Sequence, residues 1–204
     1  MKWHTQMRRG FTVIELLVVF SIMAVISAIA LANYPEFNRV SALERGAQLF
    51  ALTMRDSETR AMSARGSAGV FTNRFGTHVD ISSSGNNRQY LLFADTNGTN
   101  FYDAGDILLY TSTLSSYVRI NKLCRLLRDG NPLNDLNACI YERLSVTFER
   151  PAPVINVYGA TGGGPPGDLG TGDFEIEITT NDGTLSRCVV VWSTGAVSIE
   201  SNPC

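Results

Sequence analysis

The chain has 204 residues, of which 44% are apolar, and its 17 basic and 19 acidic side chains give a formal net charge of −2. This length suits one ordinary domain, and the near balance of charge provides no bulk attraction for nucleic acid. The only histidines are His4 and His78, so zinc sites, catalytic triads and proton shuttles that use histidine have few candidate residues. No pattern pairs a nucleophile with a base, and we do not expect an enzyme.

An apolar segment follows the N-terminal residues. Residues 11–32 contain no Lys, Arg, Pro or Gly and a single ionisable side chain, Glu15. A helix of this length, rising about 1.5 Å per residue, can cross a hydrocarbon core of about 30 Å. Basic residues precede the segment at Lys2, Arg8 and Arg9, and none follows until Arg39. The positive-inside rule therefore predicts a cytoplasmic N-terminus and the rest of the chain outside.

Three interpretations of this segment compete. Residues 30–32, ALA, are similar to a signal-peptidase site, and a generic membrane anchor would also explain the length, but neither explains Glu15. A carboxylate in hydrocarbon costs several kcal/mol unless it is paired. In the third interpretation, cleavage between Gly10 and Phe11 creates an amine that the Glu15 carboxylate of a neighbouring copy can reach. The two charges then neutralise each other as helices pack side by side.

Residues 8–19, RRGFTVIELLVV, resemble the class III signal of type IV prepilins and pseudopilins. The resemblance implies a leader of residues 1–10, cleavage after Gly10 by prepilin peptidase, methylation of the Phe11 amine and a role for Glu15 in subunit docking. The implied partners are other pilin or pseudopilin subunits and an inner-membrane assembly platform. The implied location is the inner membrane, as a single-pass protein with its head outside the cytoplasm, and then a periplasmic pseudopilus or a cell-surface pilus.

Beyond the apolar segment, apolar residues recur at steps of three and four, with charged residues on the other faces. This spacing predicts an amphipathic helix over residues 33–66, which continues the membrane segment to about Arg65. Pro35 predicts a kink, and Gly66 is expected to stop the helix. The predicted buried stripe consists of Phe37, Val40, Leu43, Ala47, Phe50, Met54 and Ala61.

Residues 67–204 change to short runs of alternating or β-branched residues, separated by Gly, Asn and Asp. These runs predict strands at residues 77–81, 88–94, 107–111, 114–120, 144–150, 174–180 and 185–193. A long helix followed by consecutive strands predicts an α+β fold, in which an antiparallel β-sheet head packs on the helix. Residues 159–172, GATGGGPPGDLGTG, are rich in Gly and Pro and predict an exposed, mobile loop.

Two later segments resemble the GspH/FimT group of minor pilins and pseudopilins. They are residues 52–61, LTMRDSETRA, and residues 189–197, VVVWSTGAV. This resemblance implies a structural subunit of a type IV pilus or a type II secretion-like filament, and a minor or tip component rather than an abundant shaft subunit. The alternatives are the major pilin of a surface pilus, and a tip module whose head binds DNA or a surface ligand.

Residues 95–106, DTNGTNFYDAGD, have the donor spacing of a calcium loop. The candidate ligands are Asp95, Asn97, Thr99, the carbonyl of Phe101, Asp103 and Asp106. Asn100 stands where a calcium loop has glycine, and strand-like runs flank the segment instead of helices. A hairpin turn rich in Asp, Asn and Gly is the alternative, and a filament subunit requires no cofactor.

The four cysteines, Cys124, Cys139, Cys188 and Cys204, include no close C-x-x-C pair, so disulfides in an oxidising compartment are expected rather than zinc. Four cysteines allow three pairings, and the sequence alone does not choose among them. We favour Cys124 with Cys139 and Cys188 with Cys204, because each bond closes a short loop and the second ties down the C-terminus.

One local basic cluster surrounds the first cysteine, at Arg119, Lys122, Arg125 and Arg128. Such a cluster could contact DNA phosphates. Removing residues 1–10 takes away three of the 17 basic residues, which leaves 14 against 19 acidic ones. Because phosphate binding usually rests on a broader positive surface, we predict a solvated face here and no binding of nucleic acid.

Overall fold

The computed structural model describes residues 11–63, 72, 74–82, 86–126, 139–150, 154–170 and 172–201. Within these residues the chain forms one α-helix and ten β-strands. In chain order they are α1 (Val13–Met62), β1 (Arg74–Asp80), β2 (Gln89–Ala94), β3 (Ile107–Thr113), β4 (Val118–Leu126), β5 (Arg143–Glu149), β6 (Val154–Ala160), β7 (Gly167–Asp168), β8 (Asp173–Thr180), β9 (Ser186–Val191) and β10 (Val197–Glu200). The predicted α+β class is confirmed.

The chain divides into two compact units, Met1–Asn38 and Arg39–Cys204. The described part of the first unit is helical from Val13 onward, and its side chains are almost all exposed. Pro35 lies inside the helix, and the kink predicted there stays a prediction.

The second unit, called the head below, contains two antiparallel sheets where the sequence predicted one. The six-stranded sheet has the order β3-β2-β1-β5-β6-β7, and the four-stranded sheet has the order β10-β9-β8-β4. Buried side chains from both sheets and from α1 form a single hydrophobic cluster. Successive side chains of β8 point to opposite faces of the sheet. Phe174 and Ile176 belong to the hydrophobic cluster, and Glu175 between them does not.

The buried stripe of α1 is shorter than predicted. Phe37 is 69% exposed and Val40 is 41% exposed, so the prediction that these two residues are buried was wrong. Phe37 belongs to the first unit, and the hydrophobic cluster of the head begins only at Leu43. The other predicted stripe residues are buried, namely Leu43, Ala47, Phe50, Met54 and Ala61.

The C-terminal end of α1 also comes earlier than predicted. The helix ends at Met62, and Ser63 lies in a turn, whereas the sequence predicted an end near Arg65. The Ser63 hydroxyl donates to the carbonyl of Arg60 at 3.2 Å and so satisfies one of the last helical carbonyls. Gly66, the predicted stop, lies outside the described residues.

Each of the seven predicted strands overlaps an observed strand, but the one at residues 114–120 begins later, and the three observed strands β6, β7 and β10 lie outside the predicted runs. The run at residues 114–120 was predicted to be a strand throughout, whereas β4 begins at Val118. The Val118 N–H donates to the carbonyl of Ser115 at 3.1 Å, which closes a turn between β3 and β4. β6 was not predicted, and it lies between β5 and β7 in the six-stranded sheet.

The described residues of the range 159–172 are mostly turn and coil with exposed side chains, as predicted, but the range also contains strand residues, and its mobility stays a prediction. β6 continues into this range, and β7 lies within it and pairs with β6. A Cβ on Gly159 would lie 2.8 Å from Cδ1 of Leu169 and 2.9 Å from Cδ1 of Tyr141. Glycine at this position therefore permits close packing rather than mobility.

Truncation of Phe50 to alanine should lower the free energy of unfolding of the head by about 3–5 kcal/mol. Phe50 is fully buried, and its ring meets the ring of Tyr90 edge-on at 4.8 Å. Urea unfolding of the processed chain in detergent, followed by the fluorescence of Trp192, measures this change. Leu52→Ala is the matched control, since Leu52 is 56% exposed and its truncation should cost about 1 kcal/mol or less. Equal losses would contradict the burial of the Phe50 face.

Candidate functional site

The start of α1 is fixed by a capping threonine. The Glu15 N–H donates to Thr12 Oγ1 at 3.3 Å, and the Leu16 N–H donates to the Thr12 carbonyl at 3.2 Å. Thr12 is therefore the N-cap, and Glu15 is the third residue of the helix. Phe11, the predicted new N-terminus, lies directly before this cap. Gly10, on the other side of the predicted cleavage site, lies outside the described residues.

Glu15 lies in the first turn of α1, where the helix dipole favours an acidic side chain. The pattern Thr12-x-x-Glu15 is that of a capping box, and it places Glu15 three residues after the N-cap. No Lys or Arg occurs between Phe11 and Asn38, so this part of the helix offers no side-chain cation to Glu15. A cationic partner at this level must come from a chain terminus or from another molecule.

The helix surface that follows Glu15 is apolar and uncovered. Val13–Leu31 has a mean hydropathy of 2.6, and none of this 19-residue stretch is buried within the chain. By length and composition it is able to cross a membrane. The Ser21 hydroxyl donates to the Leu17 carbonyl at 2.8 Å, so this polar group finds a partner within the helix. An exposed apolar surface of this size marks a membrane or protein interface.

The cysteines with described positions lie in or near the four-stranded sheet. Cys124 of β4 is bonded to Cys139, as predicted. Cys188 of β9 is also in a disulfide, and its predicted partner, Cys204, lies outside the described residues. An oxidised Cys124–Cys139 bond agrees with a head that matures in an oxidising compartment.

Residues 95–106 connect β2 to β3, and their carboxylates accept hydrogen bonds from the loop itself. Asp95 accepts from two backbone N–H groups at 2.6 and 3.0 Å, and Asp106 accepts from two others at 3.1 and 3.0 Å. The Gly105 N–H donates to Asp103 at 2.7 Å and is the main cause that lowers the pKa of Asp103 below its ordinary value. Burial raises the pKa of Asp106.

The remaining candidate calcium ligands are engaged in the same way. The Asn97 side-chain NH₂ donates to both oxygens of Asp103, at 2.9 and 3.1 Å, and the Thr99 hydroxyl lies 2.9 Å from the Phe101 carbonyl. An NH₂ group directed at a carboxylate occupies the direction from which a cation would bind. Among the described residues, no group of three or more His, Cys, Asp or Glu is placed to hold a metal ion. This arrangement favours the hydrogen-bonded turn over the calcium loop.

The predicted basic cluster does not form one surface. Lys122 lies opposite Glu177 in the strand register, with its Nζ 3.0 Å from Glu177 Oε2. Arg125 lies opposite Phe174, a residue of the hydrophobic cluster, and so belongs to the other face of the sheet. Arg128 lies outside the described residues. The charges that are adjacent in sequence are thus divided between two faces, and Lys122 is neutralised by a neighbour.

A buried histidine–serine pair, which the sequence analysis did not find, lies in the six-stranded sheet. His78 of β1 is opposite Ser145 of β5, and His78 Nδ1 lies 2.7 Å from Ser145 Oγ. The Tyr102 N–H donates to the same oxygen at 3.2 Å and so ties the β2–β3 loop to the sheet. His78 is 6% exposed and Ser145 is fully buried, so the pair is a structural network out of reach of a substrate. Strand pairing creates this contact across 67 residues, and no local pattern signals it.

Burial lowers the pKa of His78 to about 4, from an ordinary value of 6.5. The positive charge of Arg143 acts in the same direction, and the negative charge of Asp80 opposes it. The folded head therefore contains a neutral imidazole at neutral pH. Its unprotonated Nδ1 can accept the hydroxyl hydrogen of Ser145, while the Ser145 oxygen accepts the Tyr102 N–H.

Comparison with known proteins identifies the N-terminal segment. Residues 5–31 match the family model described as the prokaryotic N-terminal methylation motif. The match spans the predicted cleavage site and Glu15 and extends into the apolar helix, so it supports a type IV pilin-like prepilin. It does not reach residues 52–61 or 189–197, on which the resemblance to the GspH/FimT group rests. No curated protein and no solved structure matches the chain.

Acidification should destabilise the head through His78. The pKa of His78 is lower in the folded head than in the unfolded chain, so its contribution to stability is complete above about pH 6.5 and is lost as the pH falls toward 4. The expected loss is about 3 kcal/mol at most, from a 1.36 kcal/mol change per pKa unit. Urea unfolding at several pH values measures this loss. His78→Gln removes the titrating group and should flatten the curve in this pH range, and an unchanged slope in that variant would contradict the assignment.

Calcium should leave the melting temperature of the head unchanged, because the loop carboxylates already accept N–H donors. A bound ion present at 100 times its dissociation constant would stabilise the fold by about 2.7 kcal/mol, a shift of several degrees. Thermal melts with Ca²⁺, with Mg²⁺ and with EDTA distinguish the two cases. A rise with Ca²⁺ alone that disappears in Asp103→Asn would establish the calcium loop instead of the hydrogen-bonded turn.

Proposed function

We propose that this chain is a structural subunit, a minor pilin or pseudopilin, of a type IV pilus or type II secretion-like filament. The observation that carries the proposal is the match of residues 5–31 to the methylation motif. The matched residues lead into a helix whose apolar surface is exposed and whose first turn holds Glu15. A motif of this kind implies processing by prepilin peptidase and assembly with other pilin-like subunits.

The geometry of the helix start suits this assembly chemistry. Cleavage after Gly10 places the new amine on Phe11, directly before the N-cap Thr12, and Glu15 follows about one helical turn later. The amine of one subunit and the Glu15 carboxylate of the next neutralise each other in the low dielectric between packed helices. An unpaired carboxylate costs several kcal/mol in hydrocarbon. This pair therefore favours the axial register of neighbouring helices in which the amine and the carboxylate meet.

Contacts within the head support assignment to the GspH/FimT group of minor pilins and pseudopilins. The two segments that carry this resemblance, residues 52–61 and 189–197, touch each other. Arg55 Nη2 donates to the Val197 carbonyl at 3.0 Å, and Met54 and Val191 belong to the same hydrophobic cluster. The resemblance therefore concerns one packed unit of helix and hairpin rather than two unrelated stretches.

The proposed function needs neither an active site nor a cofactor. The apolar helix would hold the subunit in the inner membrane with its head outside the cytoplasm, where the Cys124–Cys139 disulfide can persist. An inner-membrane assembly platform would then transfer the subunit into the filament, where sister helices cover the same apolar surface. A major pilin would share these features, and its abundance in sheared filaments distinguishes it. A tip that binds DNA is not favoured, because Lys122 pairs with Glu177.

A Glu15→Gln variant should be processed like the wild type but should assemble poorly. The wild-type chain isolated from its native membrane should begin at N-methylated Phe11, and this start should disappear in a host without the prepilin peptidase. Glu15→Gln should retain the cleaved start, because the cleavage site is intact, but should lose at least about tenfold of its incorporation into sheared filaments for lack of the charge pair. Intact mass, N-terminal sequencing and quantitative immunoblots of filament fractions measure these outcomes.

Glu36→Gln is the matched control for this experiment, since it removes a carboxylate from the same helix beyond the apolar stretch. It should be processed and incorporated like the wild type. A mature start near residue 33, or an uncut Met1 in the presence of the peptidase, would make the chain a secreted or simply anchored protein and overturn the proposal.

A further inference from the structure

A cleft of about 540 Å³ opens in the head between the β2–β3 loop and the β6–β7 loop. Its lining includes Thr99, Phe101, Tyr102, Asp103, Arg143 and Tyr158. The volume lies in the range of sites that hold a small ligand, and three of these six side chains are aromatic. None of these residues takes part in the assembly chemistry proposed above.

The aromatic wall of the cleft is held in place by packing. The Tyr102 ring lies 5.4 Å from the Phe93 ring, and the Phe101 ring meets the His78 ring edge-on at 5.0 Å. The Tyr102 N–H donates a hydrogen bond to Ser145 Oγ, so the backbone of the β2–β3 loop is fixed as well. The buried network around His78 thus supports a preformed wall, which reduces the entropy lost when a ligand binds.

Arg143 supports the side of the cleft that the β6–β7 loop forms. Its Nη2 donates to the carbonyls of Gly162 and Gly164 at 3.1 and 2.7 Å, which fixes the β6–β7 loop, and its Cζ lies 5.8 Å from the centre of the Phe101 ring. Within the described part of the chain, its Nε and Nη1 hydrogens have no hydrogen-bond acceptor. Arg143 therefore has donors left for a ligand.

Acceptors remain on the other side of the cleft. Thr99 Oγ1 lies 3.0 Å from Asn97 Oδ1, 2.9 Å from the Phe101 carbonyl and 3.2 Å from Asp103 Oδ2. A hydroxyl has one hydrogen and can satisfy only one of these three acceptors at a time. Asn97 Oδ1 and Asp103 Oδ2 each accept one further N–H, so a donor from outside can use only the lone pairs to which the Thr99 hydroxyl does not donate, next to an aromatic surface.

We propose that this cleft binds a sugar ring of an uncharged glycan. Each sugar hydroxyl both donates and accepts a hydrogen bond, which matches the remaining donors of Arg143 and the remaining acceptor lone pairs of the loop around Thr99. The C–H faces of the ring pack on the aromatic side chains of Tyr102 and Tyr158. The site goes beyond the proposed assembly function, because its residues all belong to the head.

The charges in the cleft disfavour two other ligand classes. The carboxylate of Asp103 repels phosphate groups, so a nucleic acid gains no net attraction from the single guanidinium of Arg143. A quaternary ammonium would suit an aromatic cage, but Arg143 already lies over the Phe101 ring and repels a second cation. An uncharged ligand meets neither repulsion.

Binding of neutral glycans to the processed full chain tests the proposal. The chain is purified in lauryldimethylamine oxide, a detergent without sugar or choline headgroups, and applied to an array of unbranched glucose, galactose and mannose oligosaccharides. The strongest binder is then titrated, beside a single-stranded DNA oligonucleotide and choline. We expect saturable binding of at least one neutral oligosaccharide, weakened about tenfold in Tyr158→Leu by the loss of ring packing.

Two control variants make the result specific to the cleft. Tyr117→Leu changes a tyrosine that is 46% exposed in the turn before β4, and it should bind within about twofold of the wild type. Tyr158→Phe keeps the ring and should retain most of the binding, and melts of all variants confirm that they are folded. The proposal is overturned if no neutral oligosaccharide binds at millimolar concentration, if Tyr158→Leu binds as tightly as the wild type, or if DNA or choline takes the site instead. The position of the mature N-terminus does not depend on any of these outcomes. A negative result in the glycan experiment would therefore not contradict the filament proposal.

Discussion

The exposed apolar surface at the N-terminal end of α1 is unfavourable in water, and the other features of this molecule depend on that fact. The side chains of Val13–Leu31 are not covered by their own chain, and full burial of one Leu or Ile is worth about 1.5–3 kcal/mol. Such a surface is driven into lipid or against other helices. Both surroundings are apolar, which is why one set of side chains can serve a membrane-held subunit and a packed filament. In the proposed assembly Glu15 would distinguish the two states, because the amine of a neighbouring subunit would neutralise its carboxylate.

From Arg39 onward the same helix becomes part of the head, and it makes polar contacts with both sheets. The Tyr110 hydroxyl of β3, in the six-stranded sheet, donates to Asp56 at 3.3 Å, and three further contacts go to the four-stranded sheet and its turns. These contacts are Arg39 with Asp182, Glu44 with Arg187, and Arg55 with the Val197 carbonyl. Partly exposed ion pairs add little stability, whereas the burial of Phe50 and Met54 adds several kcal/mol. The hydrophobic cluster therefore supplies the stability of the helix in the head, and the two ion pairs align one polar face of the helix with the four-stranded sheet.

Sequence reasoning succeeded where the signal is local. Residues that are close together in the sequence indicate the apolar segment, the strand runs and the short Cys124–Cys139 loop. It failed where the cause is a contact between distant residues. The composition around Gly159 indicates mobility, yet this glycine is required by close packing on Leu169 and Tyr141. His78 and Ser145 meet only because β1 pairs with β5, and the basic cluster divides because alternate residues of β4 face opposite sides.

The proposed assembly and the proposed ligand recognition would use different parts of this chain. The residues assigned to processing and docking all precede residue 38, and the methylation motif ends at residue 31, whereas the cleft is built from residues 99–166 of the head. Helix packing constrains the apolar surface and the position of Glu15, but it places no requirement on Tyr158 or Arg143. The network of His78 and Ser145 joins the cleft to the six-stranded sheet of the head. If both proposals hold, loss of assembly and loss of ligand binding are separable events, because substitutions in the cleft leave the apolar helix and Glu15 unchanged.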